Sequence, residues 1–204
     1  MILLTIMSTT RRQILAGFLL ARFVCAQPPR KRIILILGPP GSGKTTQSER
    51  LKSALGLPVV SMTDMLQSEG VGNGKSKPTG NIVSDETANS LLHKRISRKD
   101  CEHGFILDGY PFTVKQAEYF EALLKELGLP GPEVIHLSIT DYEVDKRLAK
   151  RGSVEDSPAN TELRIVVYRK QAELLMPRYP NAITVDASKS PDTVAARIRQ
   201  ALGY

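Results

Sequence analysis

Uninterrupted apolar runs, rather than alternating ones, set the pattern of this chain from residue 33 onward. IILIL (33–37), PVVS (58–61), FILD (105–108), EVIHLSI (133–139) and AITVDA (182–187) are short and rich in β-branched residues. Runs of that kind read as strands buried on both faces. Between them, apolar residues recur at helical spacing over 43–55, 85–99, 113–127, 141–151, 159–177 and 191–203. Asp85 and Asp141 stand where N-caps are expected, and Gly128-Leu-Pro and Gly152 where helices should stop. Strands alternating with helices, joined by right-handed crossovers, predict an α/β fold with a doubly wound parallel sheet. Ligands of such sheets bind beyond the carboxyl ends of the strands. The stretch EGVGNGKSKPTGN, residues 69–81, has the composition of a loop.

A chain of 204 residues fits one domain and is long enough to bury well over half of the surface it exposes when unfolded. None of its apolar runs reaches the roughly 18 uncharged residues that a membrane span needs, so no stable membrane association is expected. The net charge of +7 would suggest a nucleic-acid partner, but six of the 28 Lys and Arg lie in residues 1–32, which contain no Asp or Glu. The rest of the chain balances 22 basic against 21 acidic side chains, too even a mixture to displace counterions along a phosphate backbone. Cys25 and Cys101 cannot build a disulfide framework, and neither has a metal-ligand spacing.

Residues 1–32 form a basic N-terminal extension, in which the twin arginines of TTRRQIL precede the apolar stretch ILAGFLLARFVCA. It reads either as a targeting segment, with VCA as a small-residue cleavage site, or as sequence upstream of a true start at Met7. Residues 33–204 are expected to form the working domain.

GPPGSGKTT, Gly38 to Thr46, follows the first strand directly and runs into the first helix. It matches G-x-x-x-x-G-K-[ST] in full, in the strand–loop–helix context that the phosphate-binding mechanism requires. Its glycines let successive backbone N–H groups turn toward phosphate oxygens, and the helix behind adds the positive end of its dipole. Lys44 would bridge the β- and γ-phosphates, and the Thr45 hydroxyl would sit on Mg²⁺. Average residue frequencies put a chance match in a chain this long on the order of 1%. A metal in such a site needs an acidic partner at the end of a neighbouring strand, and FILDGYP supplies Asp108. An Asp before Gly is also an ordinary turn residue.

Residues 33–203 resemble the adenylate kinase family of nucleoside monophosphate kinases. The resemblance rests on GPPGSGKTTQSERL, VVSMTDML, GNIVSDE, CEHGFILDGYPFTVKQAEYF, DKRLAKRG and VEDSPANTELR. It implies a five-stranded parallel core of P-loop NTPase type, an acceptor-binding arm, and a short lid at about 151–157. On the donor side it implies that Gly41, Ser42, Gly43, Lys44, Thr45 and Thr46 hold ATP, with Thr45 and Asp108 on the metal and Lys189 lining the adenine pocket through its backbone. Arg147 and Arg151 would close over the transferring phosphoryl group, and Arg164 would approach it from the helix after the lid. Planar guanidinium forks suit charge spread over equatorial oxygens, although arginines four apart also occur on any solvated helix face.

On the acceptor side the resemblance implies Met62, Gln67, Ile82, Val83, Asp108, Gly109, Phe112 and Gln116, and here the chain departs from the family pattern. Gln67 and Phe112 replace two arginines that would grip the acceptor's α-phosphate, Met62 and Thr63 replace Thr and Gly, and Ser153 replaces a third lid arginine. Gln116, which would pair with the adenine edge, is kept. Two charge-assisted hydrogen bonds at roughly 1.5–3 kcal/mol each amount to about 10²- to 10⁴-fold in affinity. AMP should therefore bind weakly unless Lys75, Lys77 or Arg95 compensates. The Phe112 ring could stack on the base, exclude it, or simply pack. No catalytic role is expected for His93, His103 or His136, because transfer to an ionised phosphate oxygen needs no general base.

The expectation is thus a monomeric, Mg²⁺-dependent kinase moving the γ-phosphate of ATP to AMP or another nucleoside monophosphate. Two alternatives stay open: an ATP-binding module or slow ATPase that has lost transfer, and a P-loop kinase of another small acceptor. A need for ATP favours the cytoplasm, whereas the twin-arginine segment favours export or an organelle.

Overall fold

The computed structural model describes residues 31–70, 83–152 and 157–204; the expected N-terminal segment, most of the loop at 69–81, Ile82 and Ser153 lie outside them. Five strands, β1 (Arg32–Leu37), β2 (Val59–Ser61), β3 (Gly104–Asp108), β4 (Glu133–Ser138) and β5 (Ile183–Asp186), form one sheet in the order β2-β3-β1-β4-β5. Every pairing is parallel. Among the described residues seven α-helices flank it: α1 (Lys44–Leu55), α2 (Met62–Ser68), α3 (Asp85–Ile96), α4 (Val114–Glu126), α5 (Asp141–Arg151), α6 (Pro158–Leu175) and α7 (Pro191–Leu202).

Strand period two divides the core into two layers. Ile33, Leu35, Leu37, Phe105 and Leu107 pack with Leu92 of α3 and Phe120 and Leu124 of α4 on one face. Ile34, Ile36, Ile106 and Ile135 pack with Leu51 of α1 and Val194 and Ile198 of α7 on the other. Each such side chain contributes about 1.5–3 kcal/mol when fully buried. Both faces are therefore covered, as the continuous apolar runs require. At the foot of the sheet, Arg32 forks onto Glu133 at 2.8 and 2.7 Å, tying β1 to β4.

The expected helices and strands all form, with three local differences. Ser84 and Thr140, not Asp85 and Asp141, are the N-caps: their hydroxyls accept from Thr87 N and Glu143 N, and each Asp is the first helical residue. Helix α2 was not expected, because seven residues are too few to show a helical period. It is started by the Ser61 hydroxyl, which accepts from Asp64 N at 3.2 Å, and held by burial of Met62 and Met65. The helical patterns at 85–99 and 159–177 end earlier, at Ile96 and Leu175, and short 3₁₀ turns follow each.

The crevice for a ligand follows from strand order. The chain leaves β1 toward β2 on one side and later crosses from β3 to β4 on the other, so the direction reverses around β1. That switch point lies at the carboxyl ends of β1 and its neighbours.

Candidate active site

The loop after β1 is built by close approach. A Cβ at Gly38 would lie 2.7 Å from Ser42 Oγ and 2.9 Å from the Leu137 carbonyl, so only glycine fits there. Gly43 is the N-cap of α1 with φ +92°, and it caps with no side-chain hydrogen bond. The first N–H groups of this 12-residue helix therefore have no capping side chain to meet and suit an anion. Among the described residues, nothing but its own chain neighbours and the backbone of α1 lies within 4 Å of a Cβ at Gly43, which leaves open space over the loop. Beneath it, the buried Ser42 hydroxyl finds no hydrogen-bond partner among the described residues. An unpaired buried hydroxyl and a ring of helix-terminal donors fit the phosphates of a nucleotide.

Two strand ends bring charge to this loop. Register places Asp108 of β3 opposite Ile36 of β1 and Ser61 of β2. Its Oδ2 accepts from the Thr45 hydroxyl at 2.8 Å, and the side chain is 5% exposed. Burial raises the Asp108 pKa, and Lys44 and the Thr45 hydroxyl act against that. Lys44 donates to the carbonyls of Gly38 and Pro39 at 2.8 and 3.0 Å. Desolvation pushes its pKa down to about 8; Asp108 opposes the fall, while Arg164 and Arg151 add to it. Those two arginines, from α6 and the end of α5, thus act on the ammonium of the loop. A hydroxyl paired with a carboxylate is the oxygen donor set that suits Mg²⁺.

Arg147 bonds two backbone carbonyls. One nitrogen donates to the Ala187 carbonyl at 2.7 Å and another to the Gly41 carbonyl at 3.4 Å. It therefore bridges the phosphate loop to the turn after β5, where Lys189 is exposed and lies 3.9 Å from Asp186. Thr46 is exposed on the first turn of α1.

The described residues expected on the acceptor side are neutral or acidic. Gln67 is exposed on α2, and Met62 is buried within the core layer that holds Phe105 and Phe120. Gly109 lies over Met62, at a distance where even a Cβ would make ordinary contact, 3.7 Å. Val83 is half-buried at the entry to α3. Neither 61–70 nor 109–114 contains Lys or Arg. Arg95 forks onto Asp100 at 3.0 and 2.9 Å and touches Cys101 Sγ at 3.1 Å, so it is committed to its own helix end. Cys101 is buried there, and desolvation pushes its thiol up to about 11.

Sequence reasoning missed a polar network around Gln116. The Phe112 N–H donates to Gln116 Oε1 at 2.7 Å, and Gln116 Nε2 donates to Asp85 Oδ1 at 2.9 Å. The Thr113 hydroxyl donates to the same Asp85 oxygen at 2.8 Å and accepts from Gln116 N at 3.2 Å. Tyr110, fully buried, donates toward Asn89 Oδ1 at 2.6 Å and the Gln116 carbonyl at 3.0 Å. The T-V-K-Q spacing at 113–116 is a capping-box signal that pointed to part of it. Asp85 and Asn89 are too remote in sequence to be seen that way. Phe112, half-buried, belongs to none of the three core clusters.

A parallel sheet with a phosphate loop at its switch point, backed by a lysine, two arginines and an acidic strand end, defines an ATP-dependent phosphotransferase of the P-loop class. Comparison with known proteins gives the particular line of descent. The family model described as adenylate kinase matches residues 36–184. The chain is 37% identical over 178 residues to an adenylate kinase of Mycobacterium sp. (strain MCS), covering 83% of this chain and 98% of that protein. It is 38% identical over 183 residues to one from Stenotrophomonas maltophilia (strain R551-3), covering 83% and 98%. A Micrococcus luteus adenylate kinase is 34% identical over 183 residues, covering 83% and 89%. The chain belongs to the adenylate kinase family of nucleoside monophosphate kinases.

Proposed function

We propose that this chain transfers the γ-phosphoryl group of ATP to AMP across the crevice at the carboxyl ends of β1 and β3. The observation that carries the reading is the meeting at one loop of Lys44, bonded to the Gly38 and Pro39 carbonyls, with the Thr45 hydroxyl, bonded to Asp108. In the transfer, an acceptor phosphate oxygen attacks the γ-phosphorus and the bond to the β–γ bridging oxygen breaks; no proton has to move. Lys44 holds oxygens of the β- and γ-phosphates, while Arg151 and Arg164 stabilise charge on the equatorial oxygens. Gly41, Ser42, Gly43, Thr45 and Thr46 orient the donor through backbone N–H groups and hydroxyls. Arg147 and the Ala187–Lys189 turn hold the donor's far end by bracing the loop. Thr45 and Asp108 would hold Mg²⁺, which when bound screens phosphate charge and fixes phosphate orientation.

On the acceptor side Met62, Val83, Gly109 and Phe112 form the apolar wall and Gln116 reads the base; Ile82, outside the described residues, is assigned to that side by the resemblance alone. Gln67 and Phe112 leave the α-phosphate without its arginine clamp, so weak AMP binding is part of the proposal. Among the described residues no helix is long and apolar enough to cross a membrane. The chain is proposed to act as a monomer in the cytoplasm, where ATP is supplied.

The test is ADP formation measured by coupled assay with AMP, CMP, UMP, GMP and no acceptor, with Lys44→Ala as control. Turnover that AMP stimulates and that Lys44→Ala lowers by about 10²- to 10³-fold is expected. Turnover independent of every monophosphate would reject the reading.

A further inference from the structure

The amide of Gln116 is held from both ends, and by partners of opposite kind. Its Oε1 meets the Phe112 N–H, which can only donate, and its Nε2 meets a carboxylate oxygen of Asp85, which can only accept. Turning the amide over would set oxygen against carboxylate and N–H against N–H. The assignment of O and N is therefore fixed by chemistry. With Gln116 only 3% exposed, water cannot replace the lost partners.

A one-way amide reads a purine differently from a free one. Each of its polar atoms retains one further position, a second hydrogen on Nε2 and a second lone pair on Oε1. Adenine offers a ring acceptor beside an amine donor; a 6-oxopurine offers a ring N–H donor beside a carbonyl acceptor, the same two positions reversed. A glutamine free to turn over pairs with either, and only one that cannot turn tells them apart. A buried polar group left unmatched by the wrong base is what makes such discrimination large.

We propose that Asp85 is a positioning residue that makes Gln116 selective for a 6-aminopurine acceptor over a 6-oxopurine. The inference rests on Gln116 facing the acceptor base. Asp85 suits the task because one oxygen serves two members of the opposite element: Oδ1 accepts from Gln116 Nε2 and from the Thr113 hydroxyl that caps α4. It stands at the first position of α3, so the helix entered from the acceptor arm sets the reader on α4. The Tyr110 hydroxyl, between Asn89 of α3 and the Gln116 carbonyl, fixes the same pair of helices a turn away.

The test uses the full chain and NMR titration with AMP and IMP, which requires no turnover and so separates this inference from the phosphotransfer reading. The wild type should bind AMP at least about tenfold more tightly than IMP, the scale of one charge-assisted hydrogen bond. In Asp85→Ala that preference should fall to within about threefold while ATP affinity stays unchanged. Asp85→Asn, which keeps an accepting oxygen, should restore it. The Gln116 side-chain amide, assigned by its loss in Gln116→Met, should exchange with solvent at least tenfold more slowly than that of exposed Gln200 in the wild type, and lose that protection in Asp85→Ala. Equal AMP and IMP affinity in the wild type, an unchanged preference in Asp85→Ala, or parallel loss of ATP and AMP binding would each overturn the proposal. If Asp85→Ala fails to fold, fast exchange of the Gln116 amide in the wild type is sufficient to overturn it.

Discussion

The phosphate loop and the proposed acceptor side are built by opposite means. The donor loop relies on backbone: glycines that permit close approach, helix N–H groups, and a lysine that donates to two loop carbonyls. Around it gather arginines from α5 and α6. The acceptor side has no cation in 61–70 or 109–114 and is organised by side-chain hydrogen bonds among Asp85, Thr113, Gln116 and Phe112. The first arrangement binds charge; the second orients a neutral amide. On the proposed reading, the acceptor-phosphate grip is lost at Gln67 and Phe112 while the amide of Gln116 stays held, because the two depend on different atoms.

The comparison is sharpened most by restoring the missing charge. Gln67→Arg with Phe112→Arg should lower the AMP KM by about 10²- to 10⁴-fold, two charge-assisted bonds at roughly 1.5–3 kcal/mol each, with the ATP KM unchanged. An unchanged AMP KM, read from initial rates, would show that another cation already holds the α-phosphate. On the donor side, Lys44→Ala should cut kcat by about 10²- to 10³-fold, the effect of removing one preorganised donor. Single-turnover rates at saturating ATP check it.

Gly38→Ala should destabilise the fold by about 1–3 kcal/mol, the range for forced overpacking, because the added carbon meets Ser42 Oγ and the Leu137 carbonyl. Urea denaturation measures this; at Gly109 a Cβ would find ordinary contact, so Gly109→Ala should cost only the strain of its φ of +79°. The smallest effect is on pH. Lys44 is charged below its pKa of about 8 and loses its proton above it, so kcat/KM for ATP should fall as pH rises through about 8. The raised carboxyl of Asp108 should bring in the acid limb at a higher pH than an ordinary aspartate. AMP binding, with no lysine in 61–70 or 109–114, should lack the alkaline limb.

The same division explains how much could be read from the chain itself. The sheet was legible because continuous apolar strands leave only one way to bury both faces, and the donor loop because its geometry demands glycines at set spacing. Even so, Asp85 was read as a helix cap, and Ser84 caps instead. Its real partners, Thr113 and Gln116, are 28 and 31 residues away. Packing of α3 on α4 brings them together, and no local pattern encodes that. The resemblance pairs Arg147 with Arg151, and nothing in the local sequence shows that Arg147 also bonds the carbonyls of Gly41 and Ala187. Motifs that work through backbone are visible in sequence; networks of long-range side-chain bonds are not.

The most direct test of the central claim is the ratio of acceptor to donor KM in the forward reaction, from a two-substrate initial-rate matrix of ATP against AMP. An intact donor loop beside an acceptor site without its arginine clamp predicts AMP-dependent turnover with an AMP KM at least about 10²-fold above the ATP KM. An AMP KM equal to or below that for ATP would contradict the account.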